Sequence, residues 1–119
     1  YTSFLMYRVW GYRPVQLSAT TEDDLFDEDA IVLKNMARSV TLCSDKTNYS
    51  VTVTYPQMPY LGIWHMPHTE APYVCIEPWT SLPSRQDVVE ELSCKSDLIH
   101  LAPGTHYKNE WTVSIKGEL

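Results

Sequence analysis

The 119-residue sequence has no apolar run approaching the ~20 residues that a membrane-spanning helix needs, so nothing in it reads as a bilayer crossing. It has no basic excess. Nine Lys and Arg stand against fifteen Asp and Glu, for a net charge of −6. That balance argues against nucleic acid or an anionic membrane as partner, because both select a basic footprint. Cysteine is scarce: Cys43, Cys75 and Cys94 are far apart and odd in number, with no CxxC pair and no metal-ligand spacing. Cys75 lies in an apolar run and reads as a small buried hydrophobe. A reducing, cytoplasmic setting is therefore predicted. There is no internal repeat, no low-complexity tract and no signal-peptide pattern. The chain opens on Tyr1 rather than Met, and it reads as an excised piece of something longer.

What is present is globular. Hydrophobic residues at 44% against charged ones at 20% exclude a disordered chain, and the length suits one domain with a usable core. Eight Tyr and four Trp can fill that core, or their flat rings can line a sugar pocket.

Residues 1–12 are aromatic and apolar and predict a strand and the turn after it, with residues 14–18 as a connection. Residues 20–29 carry six acids, which fits a solvated loop or a first helical turn. A calcium loop would need the ordered D-x-[DN]-x-[DN]-G-x5-E spacing, which is not there. Ala30-Ile31-Val32-Leu33 predicts a short buried strand. Ser39–Cys43 and Tyr49–Tyr55 alternate with period two around a turn-forming segment and predict a hairpin, with Tyr49, Val51, Val53 and Tyr55 inward and Ser/Thr outward. Further short strands are predicted at Ile63-Trp64, Tyr73–Trp79, Ile99–Leu101 and Trp111–Ile115. Residues 86–92 are the one helix-like stretch. Short strands at regular spacing with Pro/Gly turns predict an all-β fold, an antiparallel β-sandwich with little helix.

The most pointed stretch is Val74-Cys75-Ile76-Glu77-Pro78-Trp79, which sets one carboxylate in an apolar strand. Alternation alone would send Glu77 to the wet face while Val74 and Ile76 pack inside. Burial would instead raise its pKa and suit a general base or acid near neutral pH. His65-x-x-His68-x-Glu70 would need further ligands to hold a metal, and the sequence supplies none at a recognised spacing.

Taken in series, Asp27-Glu28-Asp29-Ala30-Ile31-Val32-Leu33, Tyr60-Leu61-Gly62-Ile63-Trp64, Cys75-Ile76-Glu77-Pro78-Trp79, Leu101-Ala102-Pro103-Gly104 and Trp111-Thr112-Val113 resemble the C-terminal part of the aldose 1-epimerase (galactose mutarotase-like) family, and within it the bacterial LacX-type branch. The likeness runs from about Gly11 to Ile115. It implies a single domain, residues 1–119, that is the C-terminal portion of a larger mutarotase-like sandwich. The implied activity is interconversion of the α and β anomers of a free hexose or hexose phosphate by acid–base ring opening, without a cofactor or metal. On this resemblance Glu77 matches the base, and Asp29 stands where the family binds sugar hydroxyls, though without the family's adjoining histidine. Trp64 and Trp79 would stack on the sugar or serve as core tryptophans, and Arg38 would meet a phosphate or simply sit at the surface.

The family's acid histidine has no counterpart here, since His65, His68, His100 and His106 all stand in other contexts. The implied partners are thus a monosaccharide or sugar phosphate and an upstream segment or companion chain that completes the sandwich. A non-catalytic carbohydrate-binding or regulatory module on the same fold is the competing reading, and a purely structural half-sandwich is a third.

Overall fold

The computed structural model describes residues 3–10, 13–20, 26–44, 46–69, 73–85 and 88–117, with backbone alone for 3–10 and 13–20. The elements are β1 (Ser3–Trp10), β2 (Arg13–Thr20), β3 (Ile31–Lys34), β4 (Ser39–Cys43), β5 (Ser50–Thr54), β6 (Tyr60–Trp64), β7 (Cys75–Trp79) and β8 (Thr112–Lys116). All pair antiparallel, in a five-stranded sheet ordered β2-β1-β4-β5-β8 and a three-stranded sheet ordered β3-β6-β7. The all-β sandwich read from the sequence is the fold.

The two sheets meet through the apolar halves of their alternating strands. Val40 of β4 faces Val53 of β5, and both are buried with Leu61 and Ile63 of β6, Phe26, Met36, Tyr55 and Met58. Ile31, Leu33, Val51, Val74 and Ile76 close around them. On the opposite face of the β4–β5 pair the hydroxyls bond across the strands, Thr41 to Thr52 at 2.9 Å and Ser39 to Thr54 at 3.2 Å. Cross-strand Thr pairs of this kind add a few tenths of a kcal/mol, to about 1 kcal/mol, each. The links between the sheets are cross-tied. Tyr55 Oη donates to the Ala37 carbonyl at 3.1 Å, and Arg38 donates to the Pro59 carbonyl at 3.0 Å. Arg38 is thus engaged in holding two loops together rather than presented to a phosphate.

Several expectations are corrected. Residues 14–18 belong to β2 and are not a connection. Pro14 is tolerated because β2 pairs only with β1, and an outer strand can lack a donor. Tyr49 lies outside the hairpin, 41% exposed. Residues 88–92 form no helix. Val89 and Leu92 are 103% and 73% exposed, so a short helix here would have no apolar face to bury, and helices of this length depend on one. Ile99–Leu101 is irregular and pairs with no strand among the described residues, and the last strand begins at Thr112 rather than Trp111. In the acidic stretch, residues 21–25 lie outside the described ones, while Asp27 to Asp29 form an exposed turn.

Candidate functional site

The site is built on the face of the three-stranded sheet that looks away from the core. Because Leu61 and Ile63 point inward with no measurable exposure, the alternate residues Tyr60, Gly62 and Trp64 belong to the other face. Registration then fixes their neighbours. Tyr60 faces Lys34 on β3 and Trp79 on β7, Gly62 faces Val32 and Glu77, and Trp64 faces Cys75. The carboxylate of Glu77 therefore stands in the middle row, beside a strand position that carries no side chain, with a tryptophan in the row on either side.

Gly62 has a local reason. A Cβ there would come within 2.8 Å of Trp79 Cζ2, so the indole of Trp79 lies over the bare backbone of Gly62. In the other outer row Trp64 Nε1 donates to Asp29 Oδ1 at 2.9 Å. Asp29 sits just before β3 in the left-handed region, at φ 86°. An L-residue held there costs of order 1–2 kcal/mol, a strain that the short side chain of Asp tolerates better than most. Beyond Trp64, the Tyr73 ring stacks on His65 at 4.8 Å and meets Trp64 at 6.5 Å, while its hydroxyl accepts from the Met66 amide at 3.2 Å. At the opposite end the Lys34 ammonium lies 5.8 Å from the centre of the Tyr60 ring.

The electrostatics are those of a half-buried surface. Burial, and secondarily the Glu77 charge, push the Cys75 thiol above its ordinary value, which places the two side chains as neighbours on β7. Burial, and then Asp97 accepting its hydroxyl proton, push Tyr60 up. Glu77 itself is half-buried, not enclosed, as an i,i+2 neighbour of Cys75 on a face that meets solvent.

The structure thus brings Glu77, Asp29, Trp64 and Trp79 to one sheet face. A carboxylate with flat indoles beside it can accept a proton or a hydrogen bond from a hydroxyl while the rings take the C–H surface of the same ligand. His65 and His68 do not join them. His65 is buried, 3% exposed, against Phe26 and Tyr73, and His68 pairs with Asp27 at 3.2 Å. Glu70 lies outside the described residues, and among these no group of three His, Cys, Asp or Glu is placed to hold a metal ion. Also among the described residues, no helix is long and apolar enough to cross a membrane.

A cleft of about 620 Å³ opens on the core side of the same sheet, between β7 and β8. Val53, Met58, Ile76, Trp79, Trp111 and Val113 are among the residues that line it, and Glu77, Asp29 and Trp64 are not. Trp79 alone of the four borders both. Sequence reasoning missed Gly62, Tyr73 and Lys34. The period-two pattern of Tyr60-Leu61-Gly62-Ile63-Trp64 carried the signal for Gly62, once aligned against Cys75–Trp79.

Comparison with known proteins adds a distant likeness. The chain is 29% identical over 101 residues to two proteins of Lactococcus lactis subsp. lactis, "Protein LacX, plasmid" and "Protein LacX, chromosomal", a match covering 84% of this chain and 33% of each relative. The chain therefore spans about a third of the length of the curated relatives it matches. No protein-family model matches it, and no solved structure matches it.

Proposed function

We propose that this chain carries the base half of a sugar-anomerising site of the aldose 1-epimerase type, on a LacX-like fold. Glu77 takes the proton from the C1 hydroxyl of a hexose or hexose phosphate as an acid delivers one to the ring oxygen. The C1–O5 bond opens to the aldehyde, the C1 carbonyl turns, and the reverse proton transfers close the ring from its other face. Asp29 and the indoles of Trp64 and Trp79 bind the sugar. The acid, a histidine, comes from residues beyond these 119. No cofactor enters, and a reducing, cytoplasmic setting suits three cysteines joined by no disulfide.

The observation that carries the reading is the convergence of Glu77, Asp29, Trp64 and Trp79 on the outer face of β3-β6-β7, with the LacX likeness beside it. One observation favours the second reading, a carbohydrate-binding module without turnover: the histidines nearest in sequence, His65 and His68, are committed to Phe26, Tyr73 and Asp27. Anomer exchange followed by NMR separates them. In a complete, active assembly Glu77→Gln should keep sugar binding and lose exchange by about 10²-fold or more, the worth of a positioned base. Undiminished exchange in that variant removes Glu77 from the chemistry. Sugar binding without exchange in the parent assembly favours the module.

A further inference from the structure

Asp29 sits in an exposed turn rather than on a strand, yet one of its carboxylate oxygens is fixed from the rigid part of the fold. Trp64 Nε1 donates to Asp29 Oδ1 at 2.9 Å across 35 residues of sequence. Trp64 ends β6, the central strand of its sheet, whose Leu61 and Ile63 have no measurable exposure. Its indole is flanked by Tyr73, with ring centres 6.5 Å apart. The turn is tied at two further points. The Asp29 amide donates to the Phe26 carbonyl at 3.0 Å, and His68, in the loop that leaves β6, pairs with Asp27 at 3.2 Å. Groups carried on strands are held more precisely than groups carried on loops, so the strand-borne indole sets where the loop-borne carboxylate stands.

The bond divides the work of the two carboxylate oxygens. Oδ1 is spent on the indole, whereas Oδ2 has no hydrogen-bond partner among the described residues. A carboxylate that grips two adjacent ring hydroxyls gives one oxygen to each, as it does to the two N–H groups of a guanidinium. With Oδ1 taken, Oδ2 alone is left for a ligand on this face. The indole donor is spent as well. An indole has a single N–H, so Trp64 has none to give to a sugar.

We propose that Trp64 is a positioning residue, which acts on the sugar through Asp29 beyond any contact its ring makes. Its N–H fixes Oδ1 so that Oδ2 faces the ligand, and the site reads one hydroxyl at this corner instead of a vicinal pair. This deepens the sugar reading of the outer face and rests on it.

The test measures the binding of D-glucose, D-galactose and their 2-, 3-, 4- and 6-deoxy analogues by NMR titration of the complete assembly, as parent, Trp64→Phe and Asp29→Asn. Phe keeps a flat ring and removes the donor. Asn tolerates the positive φ, keeps an oxygen for the indole and turns an amide N–H to the ligand where Oδ2 stood. Trp64→Phe should weaken the full sugar about 5-fold and Asp29→Asn about 10-fold or more, the worth of one hydrogen bond to a neutral and to a charged partner. For one deoxy analogue, the same in both variants, the loss should vanish, because the hydroxyl that Asp29 reads is already gone. The signature is a difference between ligands on one variant, so a partly destabilised fold does not mimic it. An equal loss on every analogue makes Trp64 a stacking or folding residue and overturns the proposal. So does unchanged binding of every sugar by Trp64→Phe, or a loss that shrinks at two neighbouring deoxy positions, the mark of a vicinal pair. A parent that binds neither sugar removes the sugar reading and the proposal with it, whereas a parent that binds, with any of the other three results, removes the proposal alone.

Discussion

Asp29 is where one residue's backbone and side chain pull in different directions. Its φ of 86° would suit glycine, while its carboxylate accepts the Trp64 indole hydrogen at 2.9 Å. Asp29→Ala keeps the strain and loses the bond. Asp29→Gly loses the bond and relieves the strain. The glycine variant should therefore be the more stable of the two by about 1 kcal/mol in denaturant melts. An alanine variant as stable as the glycine one would mean that the turn carries no strain. Cys75 supplies a second probe. Its thiol is raised by burial first and by the Glu77 charge second, so Glu77→Gln should lower it part of the way. Alkylation of Cys75 at pH 8 should then quicken by a factor below about 10, since the thiolate is the reacting form. An unchanged rate would mean the two groups are not neighbours. At this scale the strands that carry Glu77 and Trp64, and the acidic turn that carries Asp29, were legible because their motifs are contiguous in sequence. The bond between Asp29 and Trp64 was not, because it spans 35 residues and depends on how β3 registers against β6.

Among the elements, β6 is decisive. It is the central strand of its sheet, with Leu61 and Ile63 fully buried beneath and Gly62 bearing Trp79 above. Leu61→Ala should cost about 2–5 kcal/mol, the range for a fully enclosed leucine. Gly62→Ala should displace the Trp79 indole and cost about 1–3 kcal/mol, the range for overpacking, with a shift in tryptophan emission. An unshifted spectrum would show that the indole does not rest on Gly62. Tyr60 opens a window in pH. Its hydroxyl is raised above 10.0 by burial and by Asp97, so the fold favours the neutral phenol. That contribution is complete below the unfolded value near 10 and is lost as pH rises through the higher folded one. Melting temperature should fall at alkaline pH beyond about 10, and fall less in Tyr60→Phe. The remaining alkaline loss belongs partly to Tyr55, which burial also raises. The β4–β5 hairpin was readable because alternation and turn composition agree locally. Residues 88–92 and 99–101 depart from what their local patterns predict because, among the described residues, no apolar partner covers them, and strand β2 was hidden by a proline that only an edge accommodates.

For the molecule as a whole, the distribution of apolar surface is lopsided. Phe26, Met36, Val40, Val53, Tyr55, Met58, Leu61 and Ile63 hold a closed core, while Trp111, Val113, Ile115, Leu101 and Ile99 are all 45% exposed or more. Trp111, Val113 and Ile115, at alternate positions just before and along β8, line up as one exposed apolar stripe. The sandwich was legible at this scale from strand count and spacing. The open mouth between β7 and β8 was not, since which edges stay unpaired is decided by strand order, and alternation within a strand carries no information on its neighbours. The prolines of β2 and β7 set a limit on stoichiometry. A fibre needs two complementary surfaces on every subunit, one to receive and one to give. Among the described strands β2 and β7 carry prolines and β3 is only four residues long, which leaves β8 as the permissive border and gives a valence of one. If the permissive border is ever left uncovered at high concentration, two copies can occupy each other and the chain reaction ends there, in pairs rather than polymers.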